Sequence, residues 1–330
     1  MHSKSPLLTI AIPTYNRSRY LTRLLDSLAP QLENEPRVEL LISDNASPDG
    51  TQATLEGYRK QGLVFRSICN QTNIGADGNI GQCFAEAAGK YVWIIGDDDV
   101  VIRDGLAAIL GLLAQGEFDI VHIRAKDIVE GQQLYVLTRP PTIEIIHDSY
   151  TFALRTHVFL TFIAGNIINK QRVLSLPHRQ FSELIGTSLV QLSWTYTALR
   201  YFRKGACILD PLIAAGADDR GGYALFTVFG TNLKHITETW LVEPDLVRVD
   251  LNGTLQTFFP TFVLRSKLRA GRFTGEKPDV LLDSLFSDNY RYYFFVYPLL
   301  RLPGMLGRVW LLLCRLINRL DKAMGNPMLR

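Results

Sequence analysis

The chain has 330 residues, 47% of them apolar and 20% charged, with a net charge of +3. That balance supports one large folded domain or two modest ones, and it excludes both a disordered chain and a nucleic-acid-binding polycation. Four scattered cysteines (Cys69, Cys83, Cys207 and Cys314) without CxxC spacing exclude a cysteine zinc site or a disulfide framework and fit a reduced cytoplasmic compartment.

Residues 1–6 are polar, with no signal-peptide apolar region, and lead into an apolar strand over 7–12 closed by Pro13. The spacing of Tyr20, Leu21, Leu24, Leu25 and Leu28 predicts a helix over 17–29, with Asn16 as its cap. A second strand is expected over 38–43. Ser47-Pro48-Asp49 is a helix-start signal, and a third strand follows over 63–68. The helix expected over 77–88 puts Ile80, Cys83, Phe84 and Ala87 on one face. Gly78 and Gly81 weaken it, which implies tight packing or a close approach to its backbone.

The apolar run 91–95 reads as a fourth, buried strand. It ends on Asp97-Asp98-Asp99. Three carboxylates crowded at the end of a buried strand repel one another and lose hydration, and a divalent cation relieves both costs. Oxygen ligands suit Mg²⁺ or Mn²⁺, which in turn hold phosphate oxygens. A helix from Asp104 to about 114 and a strand over 119–123 complete an alternation that predicts a mainly parallel α/β sheet. In such sheets the ligand sits beyond the carboxyl ends of the strands. The segments there, 13–17, 44–47, 70–77 and 96–99, are all polar.

Beyond residue 123 the expected elements are a strand–turn–strand over 124–142 with a turn at Glu130-Gly131, a helix over 147–160 and a strand over 163–168. A long helix over 184–203, a strand over 207–214 and a polar loop over 218–222 follow. The last hundred residues read as helical and aromatic. No apolar run approaches the roughly 18 residues of a spanning helix. The tail 301–330 carries six basic residues against Asp321 alone, a net +5, which leaves −2 for the first 300 residues. Within it Arg308, Arg315, Arg319 and Lys322 fall near one helical face, and the stretch 303–322 also holds Met305, Leu306, Val309, Trp310, Leu311, Leu312, Leu313, Leu316, Ile317 and Leu320. This predicts a basic amphipathic helix lying on a membrane surface.

Four motifs in order resemble family 2 glycosyltransferases: Thr9–Arg17 (TIAIPTYNR), Ser43–Thr51 (SDNASPDGT), Asn73-Ile74-Gly75 with Asp77–Gly81, and Gly96-Asp97-Asp98-Asp99. The resemblance covers residues 7–125 well and the rest loosely. It implies a GT-A fold, Rossmann-like, with a mixed, mainly parallel sheet flanked by helices and a helical C-terminal extension. It also implies a nucleotide-sugar donor and a divalent cation. The Gly-Asp-Asp-Asp form and the passage 162–169 look most like abequosyltransferase-type enzymes of bacterial O-antigen and lipopolysaccharide assembly. The implied organisation is a nucleotide-sugar-binding half over 1–125, an acceptor-binding half over 126–225 and a helical region over 226–330.

By resemblance, Pro13, Thr14, Tyr15, Asn16 and Arg17 form the loop at the donor's base and ribose. Asp44 accepts hydrogen bonds from the base, Asn73 and Asp77 contact the nucleotide or ribose, and Asp97 and Asp98 face the donor. Asp97 and Asp99 are the expected metal ligands. The family often shows Asp-x-Asp-Asp, and here Gly96 takes the first acidic slot. In the stretch 181–188, Thr187-Ser188 stands where the family's acidic pair, the catalytic base, is expected. Glu183 is then the first candidate base, followed by Asp218 and Asp219. The function implied is metal-dependent, inverting transfer of a sugar to a lipid-linked saccharide acceptor at the inner face of the cytoplasmic membrane. The rivals are a nucleotidyltransferase that makes nucleotide sugars and a non-catalytic sugar-nucleotide-binding protein.

Overall fold

A computed structural model describes residues 5–127, 136–216, 224–268 and 276–325. The chain divides into two compact units, one of residues 1–149 and 160–218, the other of residues 150–159 and 219–330.

The first unit is built on a nine-stranded sheet: β1 (Leu8–Thr14), β2 (Val38–Asp44), β3 (Arg66–Cys69), β4 (Tyr91–Ile94), β5 (Val100–Val101), β6 (Ile120–Asp127), β7 (Ile143–Ile146), β8 (Asn166–Asn169) and β9 (Gly205–Ala215). Their order is β3-β2-β1-β4-β8-β6-β9-β5, with β7 also paired to β9. Strands β1 to β4 pair in parallel, as do β6 and β9, while β8 runs antiparallel to both β4 and β6. The sheet is therefore mixed and mainly parallel. The apolar runs of β1 and β4 are buried on both faces, which accounts for their lack of polar alternation. Trp93 anchors the centre, donating its indole N–H to the Ala164 carbonyl at 2.7 Å. In β9 the ladder to β6 skips between Ile208 and Ile213, where Pro211 has no N–H to give.

The helices of this unit are α1 (Ser18–Leu32), α2 (Thr51–Lys60), α3 (Gly75–Glu86), α4 (Gly105–Leu113), α6 (Lys170–Leu174) and α7 (Leu192–Arg200), while α5 (Ser149–Thr156) falls almost wholly in the second unit. Leu21, Leu24, Leu25 and Leu28 of α1 are buried as their spacing predicted. The expected Asn16 cap is replaced. Asn16 has a positive φ of 54°, and Asp49 instead accepts the Ser18 N–H at 2.9 Å. The same carboxylate accepts the Thr51 N–H at 3.0 Å, so one aspartate serves the first turns of α1 and α2. Helix α3 carries Gly81 against the Phe181 ring. A Cβ there would lie 2.4 Å from a ring carbon, so the close approach implied by that glycine is a packing contact.

The helix expected over 184–203 is halved, with only α7 regular. Gly186 and Ser188 take positive φ values of 89° and 61°, and the N–H groups of Gly186 and Ser188 bond to Asp77 rather than to preceding carbonyls. The expected turn at Glu130-Gly131 and the loop 218–222 lie outside the described residues.

The second unit is helical, with helices at Pro244–Gly253, Phe259–Leu268, Pro278–Phe286, Tyr297–Arg301 and Gly304–Ala323 among others. Its core is aromatic: Phe226, Phe259, Phe286, Tyr292 and Phe295 are buried around Leu255, Val263 and Leu282. Among the described residues no helix is long and apolar enough to cross a membrane.

Candidate active site

The strand ends of the first unit align. The Asn45 N–H donates to the Thr14 carbonyl, that of Asn70 to Asp44 and that of Ile95 to Ala11, each at 2.9 Å. The polar segments after β1, β2, β3 and β4 therefore share one edge, where a parallel sheet places its ligand.

Asp97 and Asp99 are buried at that edge, only 5% and 4% exposed, and Asp98 is partly exposed. The Thr14 hydroxyl donates to Asp97 Oδ2 at 2.7 Å. Arg17 Nη1 lies 3.1 Å from Asp97 Oδ1 and 3.5 Å from Asp98 Oδ2, bridging the two carboxylates. Asp99 is held by backbone, with the Gly96 N–H on Oδ2 at 3.2 Å and the Gly216 N–H on Oδ1 at 3.0 Å. Arg23 also donates to the Asp98 carbonyl.

Burial pushes the Asp97 carboxyl up to about 6 against the opposing pull of Thr14 and Arg17. Burial, with the neighbouring Asp98 charge, pushes Asp99 up to about 7. The glycine in the first acidic slot has a steric reason. A Cβ on Gly96 would lie 3.0 Å from both Asp98 Oδ1 and Asp99 Oδ2, so the carboxylates curl over the space a side chain would need.

The remaining residues named from sequence fall nearby, though not all face outward. Pro13 pairs in register with Ser43, and Tyr15 is exposed. The Asn16 N–H donates to Ser47 Oγ at 2.9 Å. Asp44 is fully buried. It accepts the Ser47 N–H at 3.0 Å and a bond from Gln52, and the Cys69 thiol lies 3.9 Å away. Asn73 Oδ1 accepts from Asn45 and from the Gly75 N–H, both at 2.8 Å, and so shapes its own loop.

Sequence reasoning missed the polar layer beneath this loop. Asn45 takes the Ile74 N–H and an Asn70 amide, while Gln82 bonds to Ser43 and Asn70. Ser43 in turn donates to Asn79 at 2.6 Å. The only signal in the sequence is the pair Asn79 and Gln82, three residues apart on α3. Positive φ values at Asn16 and Ala46 mark the turns after β1 and β2, the kind of backbone cost that collects at functional edges.

Asp77 is buried and accepts the Gly186 N–H at 2.7 Å and the Ser188 N–H at 2.9 Å, tying the start of α3 to the turn that carries Thr187-Ser188. Glu183 is exposed. It pairs with Arg179 at 2.5 Å and caps its own turn through the Gln180 N–H at 3.2 Å. The Arg179 bond holds its carboxyl below the usual range. Asp218 and Asp219 lie outside the described residues, two and three positions after Gly216.

The donor set fits a hard cation: desolvated aspartates, oxygen atoms only, each Asp99 oxygen with a lone pair beyond its backbone bond. As arranged, Asp97 and Asp98 face Arg17. Among the described residues no group of three or more His, Cys, Asp or Glu is poised to hold an ion.

A mixed, mainly parallel sheet flanked by helices, with acidic and polar loops at the strand ends, is the GT-A architecture. Glycosyl transferase family 2 matches residues 9–175, just over half the chain, and the chain belongs to that family. It is 39% identical over 104 residues to abequosyltransferase RfbV of Salmonella typhimurium, a stretch that covers 31% of each chain. The matched stretches span about a third or less of the curated relatives' length.

Among solved structures, TarS 1–349 of Staphylococcus aureus in complex with UDP-GlcNAc superposes with a TM-score of 0.58 at 17% identity, covering 96% of this chain and 92% of that one. Mannosyltransferase PcManGT of Pyrobaculum calidifontis, in complex with GDP-Man and Mn²⁺, gives a TM-score of 0.53 at 16% identity, covering 97% and 88%. At these identities the likeness is one of fold.

Proposed function

We propose that this protein transfers a sugar from a nucleotide-sugar donor to a hydroxyl of a saccharide acceptor in bacterial surface-polysaccharide synthesis, with inversion at the anomeric carbon and with Mg²⁺ or Mn²⁺. The observation that carries the reading is the buried aspartate edge at the end of β4, bridged by Arg17, in a family 2 chain. The similarity to an abequosyltransferase favours a deoxysugar donor.

Asp97 and Asp99 are the residues that would hold the cation, with Asp98 beside them facing the donor. When bound, it supplies positive charge against the leaving diphosphate. Arg17 must release Asp97 and Asp98 to admit it, and the freed guanidinium is then available to diphosphate oxygens. The donor base and ribose are assigned to Pro13–Arg17, Asp44 and Asn73. For Asp44 this requires Gln52 to give up its bond.

The acceptor hydroxyl must lose a proton to a carboxylate. Glu183, paired with Arg179 and held below its usual range, is a weak base. Asp218 and Asp219 follow Gly216, whose N–H sits on Asp99, so the base is assigned to them. Glu183→Gln is accordingly expected to change turnover by less than about threefold, whereas Asp218→Asn with Asp219→Asn costs about 10²-fold or more. Steady-state kinetics with each variant checks this, and the reverse ranking would restore Glu183.

The acceptor assigned is lipid-linked, met at the cytoplasmic face of the inner membrane. The exposed apolar and basic faces of the terminal helix support it. The first test is thermal stabilisation by a panel of nucleoside diphosphates with and without Mn²⁺, followed by turnover of the matching sugar nucleotide. Stabilisation without transfer to any acceptor would favour the non-catalytic reading, which the missing acidic pair at Thr187-Ser188 supports. Pyrophosphate release from a nucleoside triphosphate and a sugar phosphate would favour the nucleotidyltransferase. No stabilisation by any diphosphate would sink the proposal.

A further inference from the structure

The terminal helix, Gly304–Ala323, packs by one face. Gly307, Cys314 and Asp321, seven residues apart, are buried. Met305, Val309, Leu312, Leu316 and Leu320, at spacings of three and four, form a stripe on another face, and each is more than half exposed. Arg308, Arg315 and Arg319 run along one border of the stripe. Along the other, Trp310 donates its indole N–H to the Phe294 carbonyl at 3.0 Å and its ring lies 5.5 Å from the Phe294 ring, beside the exposed Tyr293. Apolar residues flanked by arginine on one side and aromatic rings on the other match the layers of a bilayer interface.

The arginine border also forms the lip of a cavity. About 200 Å³ of space lies between this helix and residues 256–261, lined by Gln256, Thr257, Thr261, Arg315, Asn318 and Arg319 among others. It is smaller than the roughly 300 Å³ at which ligand pockets begin, and so suits a head group rather than a nucleotide. Among the described residues neither Arg315 nor Arg319 has a carboxylate partner within ion-pair distance. Asn318 donates its amide to the Gln256 carbonyl at 2.8 Å, which leaves its Oδ1 buried without a partner. A site with two free guanidinium forks and an unused buried acceptor calls for an anion that also carries a donor.

We propose that this cavity clamps the phosphate of an anionic glycerophospholipid head group. Arg315 and Arg319 bind the phosphate oxygens, Asn318 Oδ1 accepts from a head-group hydroxyl, and the adjoining stripe enters the acyl region. Such a clamp rests on the membrane-surface part of the proposed function and is independent of the transfer chemistry.

Cosedimentation of the full chain with vesicles of phosphatidylcholine, alone or mixed with phosphatidylglycerol, tests it. The wild type is expected to prefer the mixed vesicles at least tenfold, on the order of what two engaged basic residues supply. Arg315→Ala with Arg319→Ala should weaken that binding several-fold beyond the roughly 30-fold that two basic residues supply by diffuse attraction, and Asn318→Ala should reduce the preference for phosphatidylglycerol. The control pair Arg308→Ala with Lys322→Ala, equal in charge but away from the cavity, should cost no more than that roughly 30-fold.

Equal losses from the two pairs would overturn the clamp and leave diffuse attraction to the membrane. Tight binding of inorganic phosphate alone, with Arg315 and Arg319 variants unchanged on vesicles, would overturn the lipid source. Failure of the wild type to bind any vesicle would overturn both clamp and membrane reading. If in addition Leu312→Glu dissolved a dimer, the stripe would be a contact between copies.

Discussion

Asp99→Asn is expected to lower sugar transfer by about 10² to 10³-fold, the usual cost of removing one preorganised electrostatic group, while leaving the ion-free protein no less stable at pH 8. Both halves come from burial. Asp99 sits among like charges, and its carboxyl is pushed up to about 7. The folded state thus holds this proton more tightly than the unfolded chain does. The stability it contributes is complete below the ordinary carboxylate range and is lost as pH rises through about 7; for Asp97 the loss runs through about 6.

The ion-free wild type should therefore weaken steadily from pH 4 to pH 8, and added Mn²⁺ should restore it. A tenfold difference in proton affinity between the folded and unfolded chain is worth about 1.4 kcal/mol, so neutralising Asp99 returns roughly 2–4 kcal/mol at pH 8. Against this, asparagine keeps one accepting oxygen for the Gly96 and Gly216 N–H groups, and a lost bond costs about 1–3 kcal/mol. The net change is about zero or a small gain. Thermal melts between pH 4 and 8, with and without Mn²⁺, measure it alongside turnover. Flat wild-type stability over that range, or normal transfer by the asparagine variant, would remove the metal role from Asp99.

The edge that holds this aspartate was readable because its signals are local. An apolar run stopping at three carboxylates needs no partner to be noticed, and the strand–helix alternation places it at the sheet's carboxyl end. What the sequence hid are partners far along the chain. Asp49 caps α1 from the far side of β2. Arg23 reaches the Asp98 carbonyl across 75 residues, and the Gly216 N–H reaches Asp99 across 117. No propensity marks such pairs. Asn16 was a reasonable cap on local grounds, yet Asp49 reaches the same N–H, and Asn16 takes the left-handed turn. The helix expected over 184–203 failed for the same reason. Its apolar spacing fits a helix throughout, but a carboxylate more than a hundred residues earlier captures two of its N–H groups.

That carboxylate, Asp77, is the site of the second large effect. Asp77→Ala removes two charge-assisted bonds at 2.7 and 2.9 Å, each worth about 1.5–3 kcal/mol. The turn they hold already bears a cost: Ser188 sits at a φ of 61°, a conformation of about 1–3 kcal/mol that persists only while its surroundings enforce it. Gly186 and Ser188 are exposed, so water takes over part of the loss, and roughly 2–3 kcal/mol of stability should disappear. The functional loss should be larger. The freed turn carries Thr187-Ser188, which by resemblance stands where the family holds its catalytic base, and a displacement of about 1 Å at such a position is expected to cost on the order of 10²-fold. Hydrogen exchange at the amides of residues 186–190 should accelerate in the variant, with kcat falling more than donor affinity, and Asp77→Asn, which retains one accepting oxygen, should fall between. If exchange there is unchanged while donor affinity drops, Asp77 belongs to the nucleotide, as the resemblance implied, and not to the turn.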